Sequence, residues 1–191
     1  MKDRDKAKAE ARLVETVVTH LELAAPPREL PPQPVTPRLA LMKVDDIPLH
    51  FYRYLYATVG HAWLWVERLD LDDNALADMV RKEHIAISVL YANGAPAGYF
   101  ELDLAAGETV NLVYFGLTPE WTGRKIGPWL LGCAVMEGFA AGAERLAVNT
   151  CTFDHPGALR LYQRMGFQPV RRETRNLRVP PGMPLPNHIQ T

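Results

Sequence analysis

The stretch Asp154-His155-Pro156-Gly157-Ala158-Leu159-Arg160-Leu161-Tyr162-Gln163-Arg164-Met165-Gly166-Phe167 constrains this chain more than any other. Ala158, Leu161, Tyr162 and Met165 fall at i, i+3, i+4 and i+7, the spacing that gathers side chains on one helix face. Pro156 suits a first helical turn, where its missing N–H costs nothing, and Asp154 or His155 is placed to cap that turn. Gly166 supplies a left-handed stop, and Phe167 opens a strand-like run. A short helix therefore turns sharply into a strand, with one tyrosine on its apolar face. Taken alone, such a tyrosine is core filling.

An upstream segment adds chemistry: Phe115-Gly116-Leu117-Thr118-Pro119-Glu120-Trp121-Thr122-Gly123-Arg124-Lys125-Ile126-Gly127-Pro128-Trp129-Leu130-Leu131. A β-type run from Val110 to Leu117 is closed by Thr118-Pro119. A Gly-punctuated basic loop follows, then an apolar helix to about Ala141. Backbone N–H groups at a helix start lack intrahelical partners and favour an anion. Gly123 and Gly127 let a phosphate approach the main chain, and Arg124 and Lys125 add positive charge. Thr122 to Gly127, with Ile126 among them, thus form a candidate pyrophosphate cradle.

Composition narrows the field. The chain has 191 residues, nearly half of them apolar (48%), enough for one well-buried core. A formal net charge of −1 offers no basic field for nucleic acid. No apolar stretch approaches a membrane span. Cys133 and Cys151 form no metal spacing, and with no leader pattern they suggest reduced thiols in a cytoplasmic protein. Cys133 reads as packing, and Cys151 lacks the paired histidine of an acyl carrier.

Residues 1–37 read as a tail: a charged run from Lys2 to Glu10, then Leu13 to Leu23, where Val17, Thr19, Leu21 and Leu23 alternate as an extra strand does. Six prolines between Ala24 and Pro37 make an extended connector. Residues 38–175 read as one domain. It starts with a strand at Leu39–Val44, an aromatic helix at about Pro48–Val59, and a helix near Asp72–Arg81 capped by Asp72 or Asp73. Strands Ile85–Tyr91, Ala97–Leu104 and Val110–Leu117 follow, joined by turns at Asn93-Gly94 and Ala106-Gly107. The apolar helix, a buried strand at Leu146–Thr152, the Tyr162 helix and a last strand from Phe167 complete it. Residues 176–191 form a Pro-containing tail.

Together and in this order, the two segments resemble the GNAT superfamily of acetyl-CoA-dependent N-acetyltransferases. The later family pattern, Asn-x-x-Ala-x-x-Leu-Tyr-x-x-x-Gly-Phe, is met at Ala158, Leu161, Tyr162, Gly166 and Phe167, with His155 where Asn is usual. The loop pattern, Arg/Gln-x-x-Gly-x-Gly/Ala after a Val-x-Pro strand end, is met at Leu117-Thr118-Pro119, Gly123 and Gly127. Thr122 stands where Arg or Gln is expected, and Lys125 where Gly is common. The resemblance covers about residues 38–175. It implies an α/β fold with a mixed, mostly antiparallel sheet flanked by helices, and a splay between two central strands. It implies acetyl-CoA as co-substrate, no metal, and a cofactor site made of Phe115, Gly116, Leu117, the Thr122–Gly127 loop, Asn149 and His155. Tyr162 takes the place of the general acid beside the thioester sulfur.

Acetyl transfer also needs a base for the amine proton and a donor for the carbonyl oxygen. Glu101, on a strand with Tyr99 and Asp103, is the candidate catalytic base, with a water chain as the other route and a plain salt bridge as the bland reading. Asn111 is a candidate to orient a water or the substrate, and Asn149 equally fits a structural contact. The aromatic stretch His50–Arg68, with Tyr52 and Tyr56 on one helix face and Glu67 nearby, suits a cationic amine or an apolar group. The expected substrate is a small-molecule amine. A protein N-terminus or lysine, and a non-catalytic acyl-CoA-sensing module, stay open as alternatives. No nucleic acid or membrane partner is expected, and a homodimer is left open.

Overall fold

Asn93 and Gly94 both take positive φ, 51° and 90°, as a two-residue hairpin turn of the primed type requires. They join β3 (Ile85–Ala92) to β4 (Ala95–Asp103). The structure is a computed structural model that describes residues 11–105 and 107–189. The charged run Lys2–Glu10 and Ala106 of the expected Ala106-Gly107 turn lie outside the described residues.

Around that hairpin stand β1 (Arg12–Leu23), β2 (Leu39–Val44), β5 (Thr109–Leu117), β6 (Arg145–Cys151) and β7 (Gln168–Val179). They form one seven-stranded sheet in the order β2-β3-β4-β5-β6-β1-β7. Every neighbouring pair is antiparallel except β5 and β6, which run parallel. Helix α1 (Leu49–Gly60) and α2 (Asp73–Val80) cover one face, where Tyr52, Leu55, Tyr56, Leu76, Val89 and Tyr99 are buried. Asp72 caps α2 by accepting from the Ala75 N–H at 2.8 Å. Helices α3 (Ile126–Ala140) and α4 (Ala158–Met165) cover the other face, burying Leu90, Phe100, Leu130, Val135, Leu146 and Phe167. This is the mixed, mostly antiparallel sheet flanked by helices that the resemblance implies.

The alternating segment near the N-terminus lies inside this sheet. Strand β1 runs between β6 and β7, pairing β6 over Val18–Leu23 and β7 over Arg12–Glu22. Leu21 and Leu23 join the α3/α4 core. Without β1, the edge of β6 facing away from β5 would carry unpaired backbone groups over a buried face. The connector then crosses from β1 to β2, five strand spacings of about 4.8 Å each. In doing so it packs on α3: a Cβ built on Gly132 would lie 3.4 Å from Leu30 and 3.5 Å from Pro31. That cover shields the Gly132 side of α3, while Met136 on the same helix stays exposed. The last strand extends to Val179, beyond the 175/176 boundary read from the sequence.

Candidate active site

The parallel pairing of β5 with β6 covers only Thr109 to Leu112 on β5, and Arg145 to Val148 on β6. One residue later β5 bulges: Glu101 pairs with Tyr114 but Leu102 with Leu112, leaving Val113 as the extra residue. Past that point β5 follows β4 and β6 follows β1, so a gap opens between them. Thr118 donates its N–H to the Ala97 carbonyl at 2.9 Å. By the two-residue alternation of an antiparallel ladder, Gly116 and Tyr114 then turn their main chains toward β4. Phe115 and Leu117 turn theirs toward the gap. Of the three expected strand residues, two therefore offer backbone groups there. All three are half-buried. Asn149 lies across the gap on β6, exposed and paired in register with His20. Asn111 falls in the paired part of the strands, opposite Ala147.

At the mouth of the gap, a 3-10 turn at Pro119–Trp121 leads into the loop. Gly123 takes φ +78° and Lys125 φ +61°, so a non-glycine residue occupies a left-handed position immediately before α3. The backbone N–H groups from Gly123 to Gly127 donate no hydrogen bond among the described residues, and Pro128 has no N–H to give. Thr122 donates its hydroxyl to the Thr118 carbonyl at 3.3 Å. The Arg124 guanidinium lies 4.8 Å from the Trp121 ring centre. Ile126 is fully buried and anchors the first turn of α3. The result is a run of five outward amides with Thr122, Arg124 and Lys125 exposed around it.

Tyr162 enters from α4, with its ring edge-on to Phe115 at 6.2 Å and to Phe167 at 5.9 Å. Burial, reinforced by Asp154, pushes its phenol well above the usual tyrosine range, so it stays protonated at neutral pH. Its hydroxyl makes no hydrogen bond among the described residues. Neither Asp154 nor His155 caps α4, whose N-cap is Gly157 without a side-chain bond, and Pro156 precedes the helix. The chain enters α4 through a turn built on those two residues instead. His155 Nδ1 accepts the Gly157 N–H at 2.9 Å. Its ring stands 5.1 Å from Trp63.

Glu101 is fully buried and fully engaged. Arg68 donates Nη1 to Oε2 at 2.8 Å and Nη2 to Oε1 at 2.9 Å, and the Tyr52 hydroxyl donates to Oε2 at 2.8 Å. The bland reading, a salt bridge, describes this geometry. Arg68 also lies 4.6 Å from the Tyr114 ring centre and bonds the Tyr52 hydroxyl. The pair ties the segment after α1 to β4, and that segment carries Trp65 and Glu67 onto Tyr114 of β5. Tyr114 donates its hydroxyl to Glu67 Oε2 at 2.9 Å. Trp65 lies 4.9 Å from Tyr114 and 5.7 Å from Tyr56. Tyr99, beneath them, has a buried hydroxyl with no partner among the described residues.

Two residues escaped the sequence reading. Arg68 carries no motif, and its partner Glu101 lies 33 positions away. Asp154 reads as a helix cap, yet its Oδ2 accepts the Cys151 N–H at 2.8 Å and the Thr150 hydroxyl at 2.9 Å. Burial raises its carboxyl pKa, the bonds from Cys151, Thr150 and Trp65 oppose the rise, and Glu67 adds to it. Burial and Asp154 also push the Cys151 thiol up, against a thiolate acyl carrier. Among the described residues, no group of three His, Cys, Asp or Glu side chains is placed to hold a metal. No described helix is long and apolar enough to cross a membrane.

Comparison with known folds agrees with this geometry. The chain is similar to a GCN5-related N-acetyltransferase from Sphaerobacter thermophilus, at 22% identity and TM-score 0.57, over 93% of this chain and 56% of that one. It is similar to a GCN5-related N-acetyltransferase from Kribbella flavida, at 16% identity and TM-score 0.56, over 91% and 61%. It is also similar to the aminoglycoside N-acetyltransferase AAC(6')-Iy in complex with CoA, at 21% identity and TM-score 0.54, over 73% and 94%. The chain spans less than two thirds of the length of several such structures. Compared by sequence with curated proteins, it finds no significant match. The Acetyltransferase (GNAT) family matches residues 47–167, from the start of α1 through the opened strands and the amide loop to the end of α4. That match spans more than half of the chain and contains the loop, both strands of the gap and Tyr162, and so the chain belongs to the GNAT acetyltransferase family.

Proposed function

We propose that this protein transfers the acetyl group of acetyl-CoA to a primary amine of a small molecule. The observation that carries the reading is the continuity of the site. Five amides unpaired among the described residues lead to a gap edged by the Phe115 and Leu117 main chains, and Tyr162, whose hydroxyl bonds nothing among the described residues, packs edge-on against Phe115 at 6.2 Å. The amides and the charges of Arg124 and Lys125 would hold the pyrophosphate. The exposed edge of β5 would bond the amides of the pantetheine arm, with Asn149 across the gap and His155 in the turn that follows β6. The reacting thioester then lies between Tyr162 and the Trp65–Tyr114–Glu67 group.

In this reading the neutral amine attacks the thioester carbon. The C–N bond forms as the C–S bond breaks, and the departing thiolate takes the phenolic proton of Tyr162. Burial suits Tyr162 to that task, because it keeps the phenol in its acid form. Glu101, with both oxygens engaged by Arg68 and Tyr52, serves to fix the acceptor wall. Glu67 and the faces of Trp65 and Tyr114 favour an amine that arrives as a cation. That a structural neighbour is an aminoglycoside acetyltransferase agrees with a polar, amine-bearing small substrate.

The test is an acetyl-CoA-dependent screen of amino sugars, polyamines and amino acids, followed by free-thiol release. Turnover on a cationic small amine is expected. Tight acetyl-CoA binding with no thiol release on any amine or peptide would make the protein an acyl-CoA sensor instead.

A further inference from the structure

A cavity of about 420 Å³ opens beside the amide loop, lined by Thr36, Pro37, Asn93, Trp121 and Arg124. Its volume lies within the range of small-molecule sites, roughly 300–1,000 Å³. Three separate parts of the chain build it: the end of the connector, the β3–β4 turn and the segment leading into α3. The first two are tied together. The Arg38 N–H donates to Asn93 Oδ1 at 3.2 Å, and the Asn93 N–H donates to the Arg38 carbonyl at 2.9 Å. The bond from the Thr118 N–H to the Ala97 carbonyl, at 2.9 Å, holds the third part beside the same hairpin. Arg124 is the distinctive group on this wall. Its guanidinium rests over the Trp121 ring, 4.8 Å from the ring centre. No carboxylate pairs with it among the described residues. Its own backbone N–H is one of the five unpaired amides, so the cavity and the amide run share a residue.

Resting on the acetyl-CoA reading above, we propose that this cavity is the subsite for the nucleotide end of coenzyme A, with Arg124 binding the ribose 3′-phosphate. In coenzyme A the pyrophosphate is followed directly by a ribose that carries this phosphate and the adenine. A pyrophosphate on the amides therefore brings the ribose to the edge of the loop, and Arg124 lines the recess there. A phosphate accepts two parallel N–H bonds from a guanidinium. A fork already held against a ring loses little freedom in making them. Trp121 is then a positioning residue, acting through Arg124. The adenine lies against the apolar ring of Pro37, within reach of the Thr36 hydroxyl and the Asn93 amide, whose oxygen is already spent on Arg38. Lys125, in its left-handed position directly before α3, is left to the pyrophosphate.

The test compares the affinities of coenzyme A and dephospho-coenzyme A, which lacks only the 3′-phosphate, by titration calorimetry on the full chain. Wild type is expected to bind coenzyme A about 10–100-fold more tightly than the dephospho form, the worth of a hydrogen-bonded charge. In Arg124→Met the two ligands should bind alike, the loss falling on coenzyme A. Trp121→Leu should shrink the same preference while Arg124 is still present. Thr36→Trp, which fills the cavity, should weaken coenzyme A and leave 4′-phosphopantetheine, which lacks the adenosine, within a few-fold of its wild-type affinity. Equal binding of the two coenzymes by wild type, or an equal loss of both in Arg124→Met, overturns the inference and leaves Arg124 to the pyrophosphate. Full coenzyme A affinity in a folded Thr36→Trp protein also overturns it, by placing the adenosine outside the cavity. Each of these leaves the acetyl-CoA reading intact, whereas no binding of coenzyme A by wild type overturns both.

Discussion

A Cβ placed on Gly116 would stand 2.4 Å from Cγ1 of Val59, so α1 lies on β5 at a distance only glycine permits. This contact sets how closely the acceptor-side helix approaches the strand whose next residues edge the gap. Gly116→Ala is expected to cost about 1–3 kcal/mol, the usual penalty for overpacking. Val59→Ala, by removing the opposing methyl, is expected to recover most of that loss. Urea unfolding of the two single variants and the pair checks the coupling, and additive losses would show that the two residues do not press on each other.

Arg68 and Glu101 form a buried pair, and their energetics differ from those of a surface bridge. Removing the cation alone strands a fully buried carboxylate, so Arg68→Ala is expected to cost about 3–5 kcal/mol. Replacing both partners, Arg68→Met with Glu101→Leu, is expected to cost far less, because no charge is left unpaired. Glu101→Gln should lower stability and leave the shape of the kcat–pH profile unchanged. A profile that loses its acid limb in this variant would return the role of base to Glu101.

The raised carboxyl of Asp154 has a consequence for stability with a definite sign. Its folded pKa lies above the unfolded value near about 3.9, so the folded state holds its proton more tightly. The stability this contributes is fully present below the unfolded pKa and is lost as pH rises through the folded pKa. At neutral pH the ionised group is a burden on the fold, and Asp154→Asn removes it. Thermal melts are expected to show Asp154→Asn at least as stable as wild type at pH 7, with the advantage vanishing as pH falls below about 4. A variant clearly less stable at pH 7 would show that the hydrogen bonds from Thr150 and Cys151 need the ionised carboxylate and outweigh the cost of burying it.

The amide loop is tested by filling it. A Cβ at Gly127 would meet Leu117 and Leu161 at an ordinary 3.9 Å, so Gly127→Ala should fold normally. Gly127→Glu projects bulk and negative charge where the pyrophosphate would lie. Wild type at acetyl-CoA concentrations about 100 times Kd should gain about 2.7 kcal/mol, and Gly127→Glu should gain almost none. An undiminished thermal shift would move the cofactor elsewhere.

The sequence carried what is local. The Gly166 stop, the Asn93-Gly94 turn, the Asp72 cap and the glycine-punctuated loop depend on neighbours a few positions away, and each was visible in spacing and residue type. The placement of β1 between β6 and β7 depends on pairing across more than a hundred residues, and its alternation marked a strand without marking its partners. The same limit hid the Arg68–Glu101 pair, because no local pattern announces a partner 33 positions away. Asp154 was hidden differently. An aspartate before a short helix has the form of a cap, and only the folded turn directs its oxygen to Thr150 and Cys151 instead.

The central claim is that the hydroxyl of Tyr162 supplies a proton to the departing thiolate. Tyr162→Phe keeps the ring contacts with Phe115 and Phe167 and removes only that hydroxyl, which bonds nothing else among the described residues. The decisive measurement is kcat for this variant and wild type under conditions where chemistry limits the rate, with melting temperature and acetyl-CoA affinity taken on the same samples. The account predicts a fall of about 10²–10⁴-fold in kcat with both other quantities nearly unchanged. An unchanged kcat would contradict it and leave Tyr162 as a core residue.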